Sequence, residues 1–416
     1  MPHLESPLAK TVTLIRHAET NANRVGRWQG SADSGISPHG EEQLLALANR
    51  RNGDRSDVLV ASDLPRTMRT ASVLGDPTPN AAFREFGVGD WEGLTTTEIS
   101  DRFPGQIEAF FRGENVAPGG GELMSDFGER VISAFSEVTA SLGDDQSATV
   151  VTHGGVIWAI MGHVIGRDDG PSRMIPSHNT ASTVIRMGDD GAKQIRVFND
   201  ASHLGSVPTQ FGPEGTIVSL FRHGETEGNV IERWQGRTDS PLTDVGRRQV
   251  ESASSAAPEM RALFTSPLGR AVESAEIIGA AIGVDPQDEE GLIEMSFGGW
   301  ENMTTTEAAA SDPELFEMIY GRGEDAPRGR DGESFIQTGE RMSATVKSLA
   351  TDSNHGHIGA VSHGAAIRAY ITNVVGLPFP DRDRFPIPRN SSMSQVRQTP
   401  SGPVLAAYNV APHLDN

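Results

Sequence analysis

The chain contains no cysteine, which rules out disulfides, thiol catalysis and cysteine-ligated zinc. Lysine is scarce: Lys10, Lys193 and Lys347 are the whole complement, so nearly all of the 35 basic residues are arginines. An anion bound by this protein must be held by arginine, histidine and backbone N–H groups, and the planar arginine fork suits phosphate oxygens. The first residues, MPHLESPLAKTVTLIRH, carry no basic segment followed by an apolar one, and no run of 18 apolar residues occurs. A cytoplasmic location is the expectation. The formal net charge of −21 argues against nucleic-acid binding and against attraction to anionic membranes.

What is present is written twice. LIRHAETNANRVGRWQG (14–30) returns as LFRHGETEGNVIERWQG (220–236), and VLVASDLPRTMRTASVLG (58–75) as ALFTSPLGRAVESAEIIG (262–279). FREFGVGDWEGLTTTE (83–98) returns as LIEMSFGGWENMTTTE (292–307) and VVTHGGVIWAI as AVSHGAAIRAY. IPSHNTAS aligns with IPRNSSMS, and FNDASHL (198–204) with YNVAPHL (408–414). His223 follows His17 by 206 residues and His363 follows His153 by 210. So constant an offset over blocks in unchanged order indicates duplication of a whole domain, since solenoid repeats are far shorter. The expected division is residues 1–204, a Gly/Pro-containing linker at 205–214, and residues 215–416.

Within each copy, β-rich apolar runs alternate with helical periodicity. TVTLI (11–15) runs into Arg16-His17; Ser37-Pro38 is an N-cap and N1 pair; DVLVAS (57–62) is a strand with a helix expected to open at Ser62. Residues 123–142 carry apolar side chains at helical spacing, and ATVVTH (148–153) is a further core strand. This alternation predicts two tandem three-layer α/β/α domains, each with a mostly parallel sheet flanked by helices. Ligands in such sheets collect at the carboxyl ends of the strands, where Arg16, His17 and His153 fall. Arg66, in the first turn of a helix, adds charge to free backbone N–H groups, and Glu85 precedes GDWEG as a candidate proton donor.

RHAET and RHGET, with Asn23 and Asn229 six residues after the histidine, resemble the signature of the histidine phosphatase superfamily, in its phosphoglycerate-mutase-like branch. SDLPRT/SPLGRA, E-x5-W-E and THGG/SHGA are similar to that family's later blocks, in the same order and in both halves. The resemblance implies that His17 and His223 are nucleophiles that become phosphohistidine. It makes Arg16, Asn23, Arg66 and His153 the phosphate-binding groups of the first copy, and Arg222, Asn229, Arg270 and His363 those of the second. Glu85 and Glu294 become the acid/base residues. Phosphoryl transfer needs in-line positioning and charge neutralisation, which arginines supply, so neither cofactor nor metal is expected. The nucleophilic histidine must be neutral while His153 helps most as a cation, so their pKa values are expected to be driven apart.

Family mutases carry an arginine beside the acid, whereas Glu85 is followed by Phe86-Gly87 and Glu294 by Met295-Ser296. The expectation is therefore a phosphomonoester hydrolase, with phosphoglycerate mutase-type transfer as the alternative. One half acting as a phospho-ligand sensor that regulates the other stays open as a second alternative. The expected ligand is a small phosphorylated metabolite: a sugar phosphate, a nucleotide or a biosynthetic intermediate. Specificity is expected from the variable segment before the second histidine, with Arg112 in the first copy against Arg322, Arg328 and Arg330 in the second. After the second histidine, the first copy has Trp158 where the second has Arg368. This points to a more anionic substrate for the second copy.

Overall fold

Apolar residues on both faces mark the central strands, and the computed structural model describes residues 10–51, 55–167, 173–188, 191–205, 215–352 and 356–414. In the first half the strands are β1 (Lys10–Arg16), β2 (Val58–Ala61), β3 (Thr78–Pro79), β4 (Ser147–Thr152), β5 (Ser182–Met187) and β6 (Lys193–Asp200). The second half repeats them as β7 (Thr216–Arg222), β8 (Ala262–Thr265), β9 (Pro286–Asp288), β10 (His357–Ser362), β11 (Met393–Thr399) and β12 (Gly402–Val410). In each half four strands run parallel, in the order β3-β2-β4-β1 and β9-β8-β10-β7, and the last two are antiparallel. Val12, Leu14, Val150, Val218, Leu220 and Ala360 are fully buried, as a sheet covered on both faces requires.

Helices cover those faces. In the first half they are α1 (Pro38–Arg50), α2 (Pro65–Ala71), α3 (Met124–Ser141) and α4 (Gly154–Ile165). Their counterparts in the second are α5 (Asp244–Ser254), α6 (Gly269–Ile282), α7 (Phe335–Asp352) and α8 (Gly364–Val375). Ser37 caps α1 through its side chain, with Pro38 at the first helical position. The helix expected at Ser62 starts three residues later, at Pro65, because the Ser62 hydroxyl bonds a histidine ring instead of capping.

The halves are not beads on a string. β6 and β12 pair antiparallel, Phe198 opposite Tyr408, so that one sheet of twelve strands runs β3-β2-β4-β1-β5-β6-β12-β11-β7-β10-β8-β9. The junction is self-complementary: Asn199 Nδ2 donates to Ala406 O at 2.8 Å, and Asn409 Nδ2 to Arg196 O at 2.7 Å. Both asparagines sit at φ +55°, a left-handed conformation that asparagine tolerates better than most residues. Phe198, Ile185, Val396 and Tyr408 belong to one hydrophobic core that crosses the junction. Apart from Gly205, the expected linker lies outside the described residues. Among the described residues no helix is long and apolar enough to cross a membrane.

Candidate active site

The register between β1 and β4 sets Arg16 opposite Thr152, so the next residues, His17 and His153, come together at the carboxyl edge. Their ring centroids are 5.2 Å apart, and those of His223 and His363 are 5.1 Å apart. All four rings are buried. The Nδ1 of His17 lies 2.7 Å from Ala18 O, and that of His223 lies 2.7 Å from Gly224 O. A carbonyl accepts only, so Nδ1 carries the proton and Nε2 keeps its lone pair. Burial, followed by the charges of Arg66 and Arg16, holds His17 well below the ordinary histidine range; burial with Arg222 and Arg270 does the same for His223. Both are neutral imidazoles with an unprotonated Nε2, the form that can attack phosphorus.

The second histidines are fixed from behind: His153 Nε2 lies 2.9 Å from Ser62 Oγ, and His363 Nε2 lies 2.7 Å from Ser266 Oγ. Contrary to expectation, the two histidines of a pair are not driven in opposite directions. His153 and His363 are also lowered well below the usual value, because they are buried between the same arginines as their partners.

Arg16 is tied to Ser177 O at 2.6 Å, and Arg222 to Pro388 O at 2.7 Å. Arg66, the second residue of α2, donates to Gly30 O and Ala32 O and is 2% exposed. Arg16 Nε, Arg66 Nε, Arg222 Nε and His153 Nδ1 are buried and have no hydrogen-bond partner among the described residues. Arg16 Nε, Arg66 Nε and His153 Nδ1 belong to the first pocket and Arg222 Nε to the second; unsatisfied buried arginine N–H groups are costly, and in each pocket they suit an anionic group. Asn23 Oδ1 receives Thr20 N and Asn179 Nδ2, and Asn229 Oδ1 receives Thr226 N and Asn390 Nδ2, so each amide has its NH2 left to donate.

Glu85 lies at the N-terminus of α4, where Gly155 N donates to Oε2 at 3.1 Å and Phe86 N to Oε1 at 3.2 Å. Burial pushes its carboxyl above the ordinary glutamate range, against the pull of these N–H groups and Arg66. Glu294 accepts from Met295, Ala365 and Ala366 N, one donor more. The Glu85 segment is clamped by Arg130 of α3, which donates to Ala82 O and Arg84 O and pairs in a fork with Glu122. Arg341 and Glu333 repeat the clamp beneath Glu294.

The structure thus brings together the twelve residues expected to surround the two phosphate pockets. The specificity residues behave differently. Arg112 pairs with Glu114, Arg322 with Glu324 and Arg330 with Asp312, all with exposed arginines. Arg328 is buried against Asp325 and the Phe379 ring, and Arg368 bonds Phe385 O and pairs with Asp383. The extra cations of the second half therefore each meet a local carboxylate. Trp158 is half-buried on α4.

Sequence reasoning missed Ser62, Ser266, Asn179 and Asn390. Asn179 Nδ2 donates to His17 O at 2.8 Å and Asn390 Nδ2 to His223 O at 3.1 Å, locking each histidine's backbone. The serines share one position in SDLPRT and SPLGRA. The asparagines were hidden because IPSHNTAS and IPRNSSMS align one residue out of register: Asn179, not His178, is the counterpart of Asn390, as Thr180 is of Ser391, both at positive φ.

A model of the histidine phosphatase superfamily (branch 1) matches residues 12–201 and again 218–411. A probable phosphoglycerate mutase, GpmB, of Proteus mirabilis is 33% identical over 183 residues, covering 43% of this chain and 83% of that protein. A glucosyl-3-phosphoglycerate phosphatase of Mycolicibacterium vanbaalenii is 31% identical over 168 residues, 38% of this chain and 75% of that protein. Among solved structures, a phosphoserine phosphatase of Entamoeba histolytica in complex with 3-phosphoglyceric acid is 28% identical, with a TM-score of 0.44 over 48% of this chain and 99% of that one.

Proposed function

The chain belongs to the histidine phosphatase superfamily, branch 1, in both halves, and from that premise we propose a phosphomonoester hydrolase with two active sites. The domains meet within 205–214. Its substrates are small phosphorylated metabolites, the class to which the relatives' names point. The observation that carries the reading is the neutral His17, its Nδ1 committed to a carbonyl and its ring set against two buried arginines, repeated at His223.

In each site Nε2 attacks phosphorus as the ester P–O bond breaks. Glu85 or Glu294 gives its proton to the leaving oxygen, and the phosphoryl group moves to the imidazole. Arg16, Arg66, Asn23 and His153 hold its oxygens in the first site; Arg222, Arg270, Asn229 and His363 do so in the second. The dianion supplies the countercharge that favours protonation of His153, which the arginines alone oppose. The carboxylate then takes a proton from a water molecule whose oxygen attacks phosphorus as the P–Nε2 bond breaks, releasing inorganic phosphate and restoring the histidine. Burial of Glu85 supports this role, because a raised carboxyl keeps its proton nearer neutrality.

Hydrolysis is favoured over mutase-type transfer because apolar residues follow the acid: Phe86 in one site, Met295 in the other. The test is turnover of a phosphoester panel, in excess chelator, by wild type, His17→Ala, His223→Ala and the double variant. Activity abolished only in the double variant supports two hydrolytic sites. Loss of all activity in one single variant makes the other half a binding domain, and isomerisation of phosphoglycerates without hydrolysis replaces the proposal by a mutase.

A further inference from the structure

The two pockets carry the same residues but do not rest in the same state. In the first, Arg66 spends Nη1 and Nη2 on Ala32 O and Gly30 O, while its Nε and the Nδ1 of His153 have no partner among the described residues. In the second, Arg270 makes the corresponding bonds to Thr238 O and Gly236 O. It then goes further: Nη1 lies 3.2 Å from Asp239 Oδ1, and Nε donates to His363 Nδ1 at 3.2 Å. Every nitrogen of that guanidinium is engaged, and the two groups meant for one phosphoryl ligand are bonded to each other.

The cause lies at the start of the following helix. Both halves have the carboxylate, as Asp33 in ADSG and Asp239 in TDSP. Helix α2 begins with Pro65, which has no N–H to offer, whereas α6 begins with Gly269. Gly269 N donates to Asp239 Oδ2 at 2.7 Å, and Arg270 N approaches Oδ1 at 3.4 Å. Anchored on those two amides, the carboxylate reaches the guanidinium. Among the described residues no ion pair joins Asp33 to Arg66.

We propose that Asp239 is a positioning residue that holds Arg270 in an internal ion pair, so that the second site binds phosphoryl groups and free oxyanions more weakly than the first. The inference rests on the reading of both pockets as phosphoryl sites. An oxyanion entering the first pocket meets donors already lacking partners. In the second it must separate Arg270 from His363 and share the guanidinium with a carboxylate of its own sign. The second site therefore works at higher substrate concentration, and one chain spans two concentration ranges.

The test is calorimetric titration of the full chain with orthovanadate and with inorganic phosphate, in chelator. Wild type should show two classes of site, and Arg66→Ala should remove the tighter one. Asp239→Asn should tighten the weaker class about tenfold, the scale of one charge-assisted hydrogen bond. Asp33→Asn, which removes a charge that acts on Arg66 only at longer range, should change the tighter class less than Asp239→Asn changes the weaker one. Gly269→Pro, which removes the anchoring N–H and sets a Cβ 2.5 Å from the place of Asp239 Oδ2, should tighten the weaker class in the same direction. Equal affinities in wild type, or a weaker class that Asp239→Asn leaves unchanged or loosens, would overturn the inference while leaving the phosphatase reading intact. Absence of oxyanion binding at either site would overturn both.

Discussion

Placing alanine at Gly155 tests whether the position of Glu85 controls the first site. A Cβ built there would lie 2.3 Å from Glu85 Oε1 and 2.8 and 2.9 Å from two Phe86 ring carbons. An ordinary contact begins near 3.4 Å, so the carboxyl must retreat by roughly 1 Å, with the Phe86 ring blocking the other side. A displacement of about 1 Å at a reacting group costs about 100-fold in rate. Overpacking costs about 1–3 kcal/mol of stability, partly offset by up to about 1 kcal/mol from replacing a helical glycine. The second half already carries Ala365 at this position, with the more pliable Met295 where the first has Phe86, and Ala365 and Ala366 N still reach Glu294. Gly155→Ala, measured in a His223→Ala background, should therefore lower kcat about 100-fold with a small change in melting temperature. Adding Phe86→Met should restore most of it. A kcat within twofold of the parent, or no recovery in the double variant, would refute this reasoning about Glu85.

Stability should fall as the pH falls. His17, His153, His223 and His363 are held neutral by burial and arginine charge, and His203 and His357 are lowered by burial to about 4 each. Between these folded values and about 6.5 the unfolded chain binds more protons, so each such histidine removes up to about 1.4 kcal/mol per unit of falling pH. Among the described residues Glu85, whose carboxyl is raised by burial, opposes this. Denaturant titrations from about pH 7.5 to 5.5 should show the midpoint dropping, and a flat or rising profile would contradict the assigned protonation states. At the sheet junction, Asn199→Ala and Asn409→Ala each remove a bond to the other half and place alanine at positive φ. Each should cost about 2–4 kcal/mol. Both halves should still unfold in one transition; two separated transitions in the parent protein would show that the shared sheet does not couple them.

Much of this was legible in the sequence because duplication gave every motif an internal control. Strand ends at Arg16-His17 and Thr152-His153, helix starts at Ser37-Pro38, and the order of the blocks all follow from local chemistry written twice. What was hidden depended on long-range pairing. The partners of the second histidines, Ser62 and Ser266, read as helix caps until the ring nitrogens arrive from a strand some 90 residues away. Asn179 and Asn390 were masked by a one-residue slip that their shared bonds to a histidine carbonyl expose. The continuous twelve-stranded sheet was invisible, since edge pairing of β6 with β12 leaves no trace in the pattern of either strand. The surplus of arginines in the second half is matched by Glu324, Asp312, Asp325 and Asp383, partners that no local pattern of the sequence reveals.

The central claim, that two histidines in one chain each take up a phosphoryl group, is tested most directly by trapping the phosphoenzyme. Rapid quenching into alkali during turnover of a labelled phosphoester, followed by peptide mapping, should place acid-labile phosphate on His17 and on His223. His17→Ala and His223→Ala should each retain label at the other position only. Label confined to one histidine in the wild type, label on any other residue, or steady hydrolysis with no phosphohistidine at all would contradict the account.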